Sequence, residues 1–387
     1  MAAWLADQGH EIHVITAKPF YPQWKVSPSY KKKWWIKEVI QNVIVIRCPV
    51  YVPENPIASK KIIHEFSFLL GIFPIWMKLL FEKKFDVVLS INPPFHLSIY
   101  PFAYKLFRGS KMISHVQDLQ VDVVNDLGMI RNKFFLGLMF RLEKFFFQKS
   151  DLVTTISTGM NRKIIDKGLH ADKQFLFPNW VDLNFIRPLP QSISLRKRFG
   201  LKDTDKIVMY SGNLGEKQGL EMIIEAAKRF RNQELVKFLI VGNGGAKSRL
   251  LNLVKTENLN NILFFPLQPY RDLSELLATP DLHLVLQKKE ASDLVMPSKL
   301  TGILASGGCA VVTAIPGTTL YDVIHQYQMG VLVDPENLDE FIDTIASALY
   351  RDNSDIKKNA RKYAELYLGK SAILEKLEDK ISQLISI

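Results

Sequence analysis

Short apolar runs alternate with amphipathic stretches along almost the whole chain. In the second half the alternation is regular. Apolar runs near 207–211, 236–241, 262–265, 282–286, 309–313 and 331–333 read as strands, each followed by a polar loop and usually a helix. Between 219 and 231, Leu220, Ile223, Ile224, Ala227 and Phe230 fall on one helical face. In the first half, strands are expected near 43–47, 86–90, 111–115, 151–155 and 174–177, and helices near 60–82, 95–107, 132–149 and 158–167. Repeated strand–helix units predict parallel sheets with helices on both faces. The expected class is therefore α/β, with two Rossmann-like doubly wound domains.

The rhythm breaks at Phe185-Ile186-Arg187-Pro188-Leu189-Pro190, where two prolines can continue neither a ladder nor a helix. This places one domain over 1–188 and a second over 189–370. Residues 371–387 read as an amphipathic helix, with Leu374, Leu377, Ile381 and Leu384 on the face that would pack back on the first domain. Two such domains in tandem leave a cleft between the C-terminal edges of their strands, where these folds bind ligands. The opening residues read as the end of a helix capped by Gly9, followed at once by a strand over 11–16. A helix in that place needs a strand before it, so an earlier strand and loop are expected upstream of Met1. No basic region or apolar core marks the opening as a signal peptide.

Composition narrows the class. The 387 residues are 47% apolar and 23% charged, which excludes wholesale disorder. Cys48 and Cys309 lie far apart and match no metal spacing, which excludes a disulfide framework and fits a reducing compartment. No stretch reaches about 18 uncharged apolar residues, so a membrane-spanning helix is not expected. Fifty Lys and Arg against 39 Asp and Glu leave a net charge of +11 that calls for a partner or a surface.

Four places carry candidate chemistry. The strand ending at Tyr210 runs into Ser211-Gly212-Asn213-Leu214-Gly215-Glu216-Lys217-Gln218-Gly219 and then a helix. Glycines at such a turn let the backbone approach a ligand, and a helix N-terminus offers free N–H groups to an anion. The loop is neither a Walker A sequence nor GxGxxG, and a tight turn with a solvated Lys217 is its plain structural reading. A second glycine loop, Val241-Gly242-Asn243-Gly244-Gly245, follows the next strand and would face the same cleft. In Asp293-Leu294-Val295-Met296-Pro297-Ser298-Lys299-Leu300, Pro297 suits the first helical position, with Ser298 and Lys299 in the first turn as anion ligands. In the first half, His115 ends a strand at its C-terminal edge, where a histidine can act as acid, base or hydrogen-bond partner, with Asp118 to orient it or cap the next segment; a structural histidine is the plain reading of the residue alone. Asp203-Thr204-Asp205 sits at the far end from the cleft and reads as a turn, so no catalytic metal is expected.

Taken together, these segments resemble glycosyltransferase family 4, retaining enzymes with the two-domain GT-B fold. The resemblance runs over 5–16, 115–118, 151–157, 177–182, 210–220, 241–245 and 296–312. The pairing of Ser-Gly-Asn-Leu-Gly-Glu-Lys-Gln-Gly-Leu with Asp-Leu-Val-Met-Pro-Ser-Lys-Leu is similar to the colanic-acid type subgroup, associated with fucosyl or N-acetylfucosaminyl transfer in bacterial exopolysaccharide and O-antigen assembly. The resemblance implies transfer of a sugar from a nucleoside diphosphate to an acceptor hydroxyl with retention, without metal or other cofactor. It implies that Gly212, Asn213, Lys217, Gly242, Gly244, Ser298 and Lys299 surround the donor. His115 and Asp293 would contact the donor sugar. The family usually has arginine at Asn213 and a ribose-binding glutamate where alignment places Gly302. It also begins with a strand and glycine loop that would precede Met1.

The charge has its own reading. Basic and aromatic residues interleave at Lys31-Lys32-Lys33-Trp34-Trp35-Ile36-Lys37 and across 134–149, and 62–81 is apolar apart from His64, Glu65 and Lys78. Such stretches suit a surface resting on anionic lipid at the inner face of the cell membrane, where a polyprenyl-diphosphate-linked acceptor would be presented; a saccharide acceptor is the other option. Buried helices with solvated lysines give the same pattern. No nucleic-acid recognition motif accompanies the charge. Two alternatives remain open at this level: a non-catalytic GT-B subunit, and a GT-B sugar-nucleotide epimerase.

Overall fold

A computed structural model of the chain describes every residue except 22, 56, 127–131, 216–217, 290–296 and 387. The first half contains α1 (Ala2–Asp7), β1 (His13–Ala17), β2 (Ile36–Ile40), β3 (Val43–Cys48), α2 (Ala58–Leu79), β4 (Val87–Asn92), α3 (Ile99–Arg108), β5 (Lys111–Val116), α4 (Gln120–Asp126), α5 (Lys133–Lys149), β6 (Leu152–Thr155), α6 (Thr158–Asp166) and β7 (Gln174–Leu176). Among the described residues its strands form two sheets, ordered β1-β3-β2 and β4-β5-β6-β7, rather than the single doubly wound sheet expected. The reason is hydrogen bonding: β1 pairs in parallel with β3, β4 pairs with β5, and no ladder joins β1 to β4. The two sheets still touch at one end, where the His13 and Phe85 rings meet edge to face at 4.7 Å.

Strand β2 was not expected. It forms an antiparallel hairpin with β3, turned by Gln41 and Asn42, which both adopt positive φ, at 49° and 61°. Two left-handed residues give the turn whose twist matches flanking strands.

The second half contains β8 (Lys206–Asn213), α7 (Glu221–Arg229), β9 (Val236–Asn243), α8 (Lys247–Thr256), β10 (Ile262–Phe265), α9 (Leu273–Leu277), β11 (Leu282–Val285), α10 (Ser298–Ala305), β12 (Ala310–Thr313), α11 (Thr319–Tyr327), β13 (Val331–Val333), α12 (Leu338–Tyr350), α13 (Ser354–Tyr367) and α14 (Lys370–Ser386). Its six strands form one parallel sheet, ordered β10-β9-β8-β11-β12-β13. Alternate residues of β8 enter opposite cores. Val208 and Tyr210 join Phe238, Ile240, Leu284 and Phe341 on one face, while Ile207 and Met209 join Leu195, Leu239 and Leu276 on the other. Burial on both faces explains why these strands are continuous apolar runs. The chain leaves β8 toward β9 and β10, then returns to the other side of β8 as β11, so the strand order reverses between β8 and β11. That reversal is the place where such sheets hold ligands.

Helix α14 crosses back to the first half. Ile373, Leu374 and Leu377 bury against Phe177, with Trp4 and Trp180 packed alongside, and His10 reaches Glu378 at 2.8 Å. Arg361 of α13 ties the junction together, donating to the Ala305 carbonyl at 2.7 Å and the Ile186 carbonyl at 3.0 Å.

Within α2, the helical stretch Ser59–Leu79 is long and apolar enough to cross a membrane by length and composition. Its charged residues, Lys60, Lys61, Glu65 and Lys78, lie toward the two ends and leave the stretch between them largely apolar.

Candidate active site

The reversal point is built by backbones in close contact. Strands β8 and β9 pair to their very ends, Gly212 opposite Gly242 and Asn213 opposite Asn243. The ladder continues into the loops, where Leu214 N donates to Asn243 O and Ala246 N to Leu214 O, both at 2.9 Å. A Cβ on Gly242 would lie 1.9 Å from Gly212 O, and one on Gly244 would lie 2.3 Å from Leu214 O. These two glycines are thus demanded by loop-on-loop packing, whatever ligand lies beyond.

Gly212 has a different neighbour. A Cβ there would meet Lys299 Cε and Nζ, both at 3.3 Å. Lys299 lies in the first turn of α10, and its Nζ sits 3.5 Å from the centre of the Tyr210 ring. The amine is closed to solvent and has no hydrogen-bond partner among the described residues, although the stem of the side chain is partly exposed. Burial pushes its pKa from the usual 10.5 down to about 7. Tyr210 is fully buried, and its hydroxyl donates to Asn213 O at 2.7 Å, fixing the end of β8. Three anion-binding features therefore converge at one place: the N–H groups opening α10, the glycine backbone after β8, and an amine with no counter-ion among the described residues.

The other sequence candidates fall as follows. Ser298 is the exposed first residue of α10, and Pro297 is the residue before the helix, one position earlier than expected. Asn213 is exposed at the end of β8. Gly302 packs over Leu277 of α9, where a Cβ would lie 3.4 Å from its Cδ1. Lys217 and Asp293 lie outside the described residues. Asp203-Thr204-Asp205 is a turn: the Asp205 carboxylate accepts from Lys202 N at 2.8 Å, and its carbonyl accepts from the buried Arg196 at 2.8 Å. Among the described residues, no group of three His, Cys, Asp or Glu side chains is placed to hold a metal.

His115 lies on β5 and is 2% exposed. Its Nδ1 is 2.7 Å from Thr154 Oγ1 and its Nε2 is 2.5 Å from the Gln117 amide. The amide donates to Nε2, so Nδ1–H donates to threonine. Burial lowers its pKa to about 4, which keeps the ring neutral at pH 7. In this arrangement both nitrogens are engaged, and its chemistry is that of a hydrogen-bonding group. Asp118 lies half-buried in the loop between β5 and α4.

Two groups of site residues escaped the sequence. Tyr210 reads as one more apolar strand residue. Around the C-terminal edge of β4, Asn92 Nδ2, His96 Nε2 and Gln120 Oε1 are buried atoms without partners among the described residues. Glu65 of α2 connects the last two: its carboxyl takes a hydrogen bond from Gln120 and its backbone takes one from His96. Burial raises the Glu65 carboxyl and lowers the His96 imidazole. Nothing in the local sequence brings α2 to this edge. A cavity of about 250 Å³ lies elsewhere, on another side of α10, lined by Leu300, Leu304, Val323, Tyr363 and Tyr367 from the second half and Ile156 and Phe175 from the first.

Comparison with known proteins follows the same division. A family model described as glycosyl transferases group 1 matches residues 191–365, and one described as glycosyltransferase family 4 matches residues 1–185. The chain is 38% identical to the Escherichia coli (strain K12) protein described as colanic acid biosynthesis glycosyl transferase WcaI, over 98% of this chain and 94% of that one. Among solved structures it is similar to sucrose-phosphate synthase from Thermosynechococcus elongatus, with a TM-score of 0.78 at 16% identity, covering 100% of this chain and 92% of that one. It is also similar to Anabaena HepE in complex with UDP and glucose, with a TM-score of 0.71 at 14% identity, covering 97% of this chain and 100% of that one. Those two similarities establish the two-domain GT-B fold.

Proposed function

The chain belongs to glycosyltransferase family 4, and from that premise we propose that it transfers a sugar from a nucleoside diphosphate to an acceptor hydroxyl in bacterial surface polysaccharide synthesis. The observation that carries the donor half of this reading is the unpartnered amine of Lys299, buried between the opening of α10 and the glycine loop after β8. A diphosphate supplies the counter-charge that this amine lacks among the described residues. The helix N-terminus and the backbone of Gly212 add donors to the same anion, with Ser298 at the rim, and Lys217 and Asp293 are assigned to the same donor site on the family resemblance. As the bond to the sugar breaks, charge grows on the departing diphosphate, and fixed donors in a water-poor site stabilise it more than they stabilise the intact donor. This requires no metal.

Transfer proceeds with retention, the leaving diphosphate and the incoming hydroxyl sharing one face of the sugar. His115, neutral and held by Thr154 and Gln117, serves as a hydrogen-bonding wall for the donor sugar rather than as a proton carrier, with Asp118 beside it. Fucose or N-acetylfucosamine is the sugar suggested by the subgroup resemblance. The acceptor is a polyprenyl-diphosphate-linked or free saccharide, met at the inner face of the cell membrane.

The test incubates the protein with radiolabelled UDP- and GDP-sugars, a membrane lipid extract, and chelator. Label should move into the lipid or saccharide fraction only when acceptor is present, and chelator should not slow it. Release of free sugar or interconverted nucleotide sugar without any acceptor-dependent transfer would replace this reading with an epimerase. A protein that neither binds nor turns over any nucleotide sugar would be a non-catalytic subunit.

A further inference from the structure

Helix α2 presents an apolar stripe to solvent. Ile62, Phe66, Leu70, Phe73 and Met77 are between 41% and 72% exposed, and Phe81 just beyond the helix is 84% exposed. Steps of three and four residues put all of them on one face. At about 1.5 Å of rise per residue the stripe is about 30 Å long.

The opposite face is locked, so the helix cannot roll to bury the stripe. Ile72 and Leu79 are each 4% exposed. Trp76 stacks on Tyr100 at 5.8 Å, and the Tyr100 hydroxyl donates to Leu69 O at 2.7 Å. Gly71 lies so close to the preceding chain that a Cβ would sit 2.2 Å from Pro49 O. These ties hold α2 flat on its domain, which is incompatible with its crossing a bilayer even though its length and composition would allow it.

The border of the stripe is aromatic and basic. Trp35 Nε1 donates to Gly71 O on α2 at 3.0 Å, and Trp34 beside it is 71% exposed. Lys31, Lys32, Lys33 and Lys37 around the tryptophans are exposed, as are Lys61 and Lys78 on the helix. The carboxylates of the same region are engaged: Glu38 with Arg47, Glu82 with Lys78, and Glu65 with Gln120. An apolar stripe edged by tryptophan and lysine is the pattern of a helix lying in the plane of an anionic interface.

We propose that α2, with Trp34, Trp35 and their lysines, is a docking surface for an anionic lipid bilayer, holding the protein flat on the membrane. A second copy of the chain fits less well, because a two-fold contact along α2 would bring the same lysines face to face. The proposal rests on the transferase reading for its purpose. Phe66, on the stripe, stacks on His96 at 5.2 Å. His96 Nε2 is one of the unpartnered atoms at the C-terminal edge of β4, beside the strand that carries His115. A lipid-linked head group lying against α2 would thus be delivered to the edge of the cleft.

The experiment is co-sedimentation with vesicles of phosphatidylcholine alone and of phosphatidylcholine with 30% phosphatidylglycerol, with UDP- and GDP-sugar affinity measured in parallel. Wild-type protein should partition onto the anionic vesicles at least tenfold better than onto neutral ones. The double variant L70E/F73E should lose at least tenfold in binding to the anionic vesicles, and K31Q/K32Q/K33Q should lose the anionic preference while keeping its thermal midpoint. Equal binding of wild type and L70E/F73E overturns the proposal, as does failure of the wild type to bind. A wild-type dimer in light scattering that L70E/F73E converts to monomer would assign the stripe to a second copy instead. Vesicle binding without nucleotide-sugar binding would leave the docking surface standing and remove the transferase reading.

Discussion

Donor affinity measured between pH 6 and pH 9 interrogates the amine of Lys299 directly. In the unliganded protein this amine faces the Tyr210 ring, and burial holds its pKa at about 7 instead of 10.5. Among the described residues no carboxylate contributes to that shift, and Tyr210, whose ring the amine faces, is itself pushed upward by burial and stays neutral. A bound diphosphate supplies the missing opposite charge and returns the pKa toward its usual range. The sign follows. Below about pH 7 the amine already carries its proton, and affinity is level. Above it, binding must take up a proton, and affinity falls by about tenfold per pH unit, or about 1.4 kcal/mol. By pH 9 the loss reaches about 100-fold.

The assay is titration calorimetry with a nucleotide sugar, whose diester diphosphate does not itself titrate over this range. Buffers of differing ionisation heat count the protons taken up: close to one at pH 8.5, close to none at pH 6. In K299M the residual affinity should be weaker at pH 7 and flat with pH. Wild-type affinity that does not change between pH 7 and pH 9, or a slope that survives in K299M, would refute the assignment of the diphosphate to this amine.

Three further outcomes test the same architecture. Because the fold disfavours the charged form of Lys299, stability is lost as pH falls from the usual lysine range toward 7. K299M should therefore raise the unfolding free energy of the unliganded protein, measured by urea titration, by on the order of 1–3 kcal/mol at pH 7 while donor binding collapses. Y210F keeps the ring beneath Lys299 but removes the hydrogen bond to Asn213 O, so calorimetry should show about a fivefold loss of donor affinity, near 1 kcal/mol, whereas Y210L should lose far more. G242A forces a methyl into Gly212 O and should cost about 3 kcal/mol in urea unfolding together with donor binding, while G245A, which meets nothing within 4 Å, should leave both nearly unchanged.

What could be read from the chain depended on whether an element's role is local. The inner strands β8, β9, β11 and β12 were legible because burial on both faces writes itself as a nearly continuous apolar run. Strand β2 was not. It is an edge strand, Lys37 and Val39 both reach solvent, and its hairpin turns on Gln41 and Asn42 instead of the glycine that usually marks such a turn. The separation of the first-half strands into two sheets was equally hidden, because which strand pairs with which is decided by contacts far apart in sequence.

The site shows the same boundary more sharply. The glycine loops follow β8 and β9, and the structure gives their glycines different reasons: Gly242 and Gly244 answer to the carbonyls of Gly212 and Leu214, whereas Gly212 leaves space for the Lys299 side chain. Lys299 read from sequence as an anion ligand in a first helical turn, but nothing there showed that β8 places Tyr210 beneath it, and Tyr210 itself looked like core. Neither residue is informative alone. Their meeting depends on β11 returning beside β8 and on α10 folding over that junction, the topological event that reverses the strand order. At the C-terminal edge of β4 the dependence is longer still, since His96, Gln120 and Glu65 belong to a short helical turn and two helices that only the packing of α2 brings together. A donor site held by a sheet's own reversal recurs wherever that sheet recurs, and so its residues form motifs. A surface set by how one helix settles on its domain leaves a more ambiguous trace, which is why 62–81 reads in sequence either as a lipid-facing stretch or as a buried helix, and only the fold shows its face exposed.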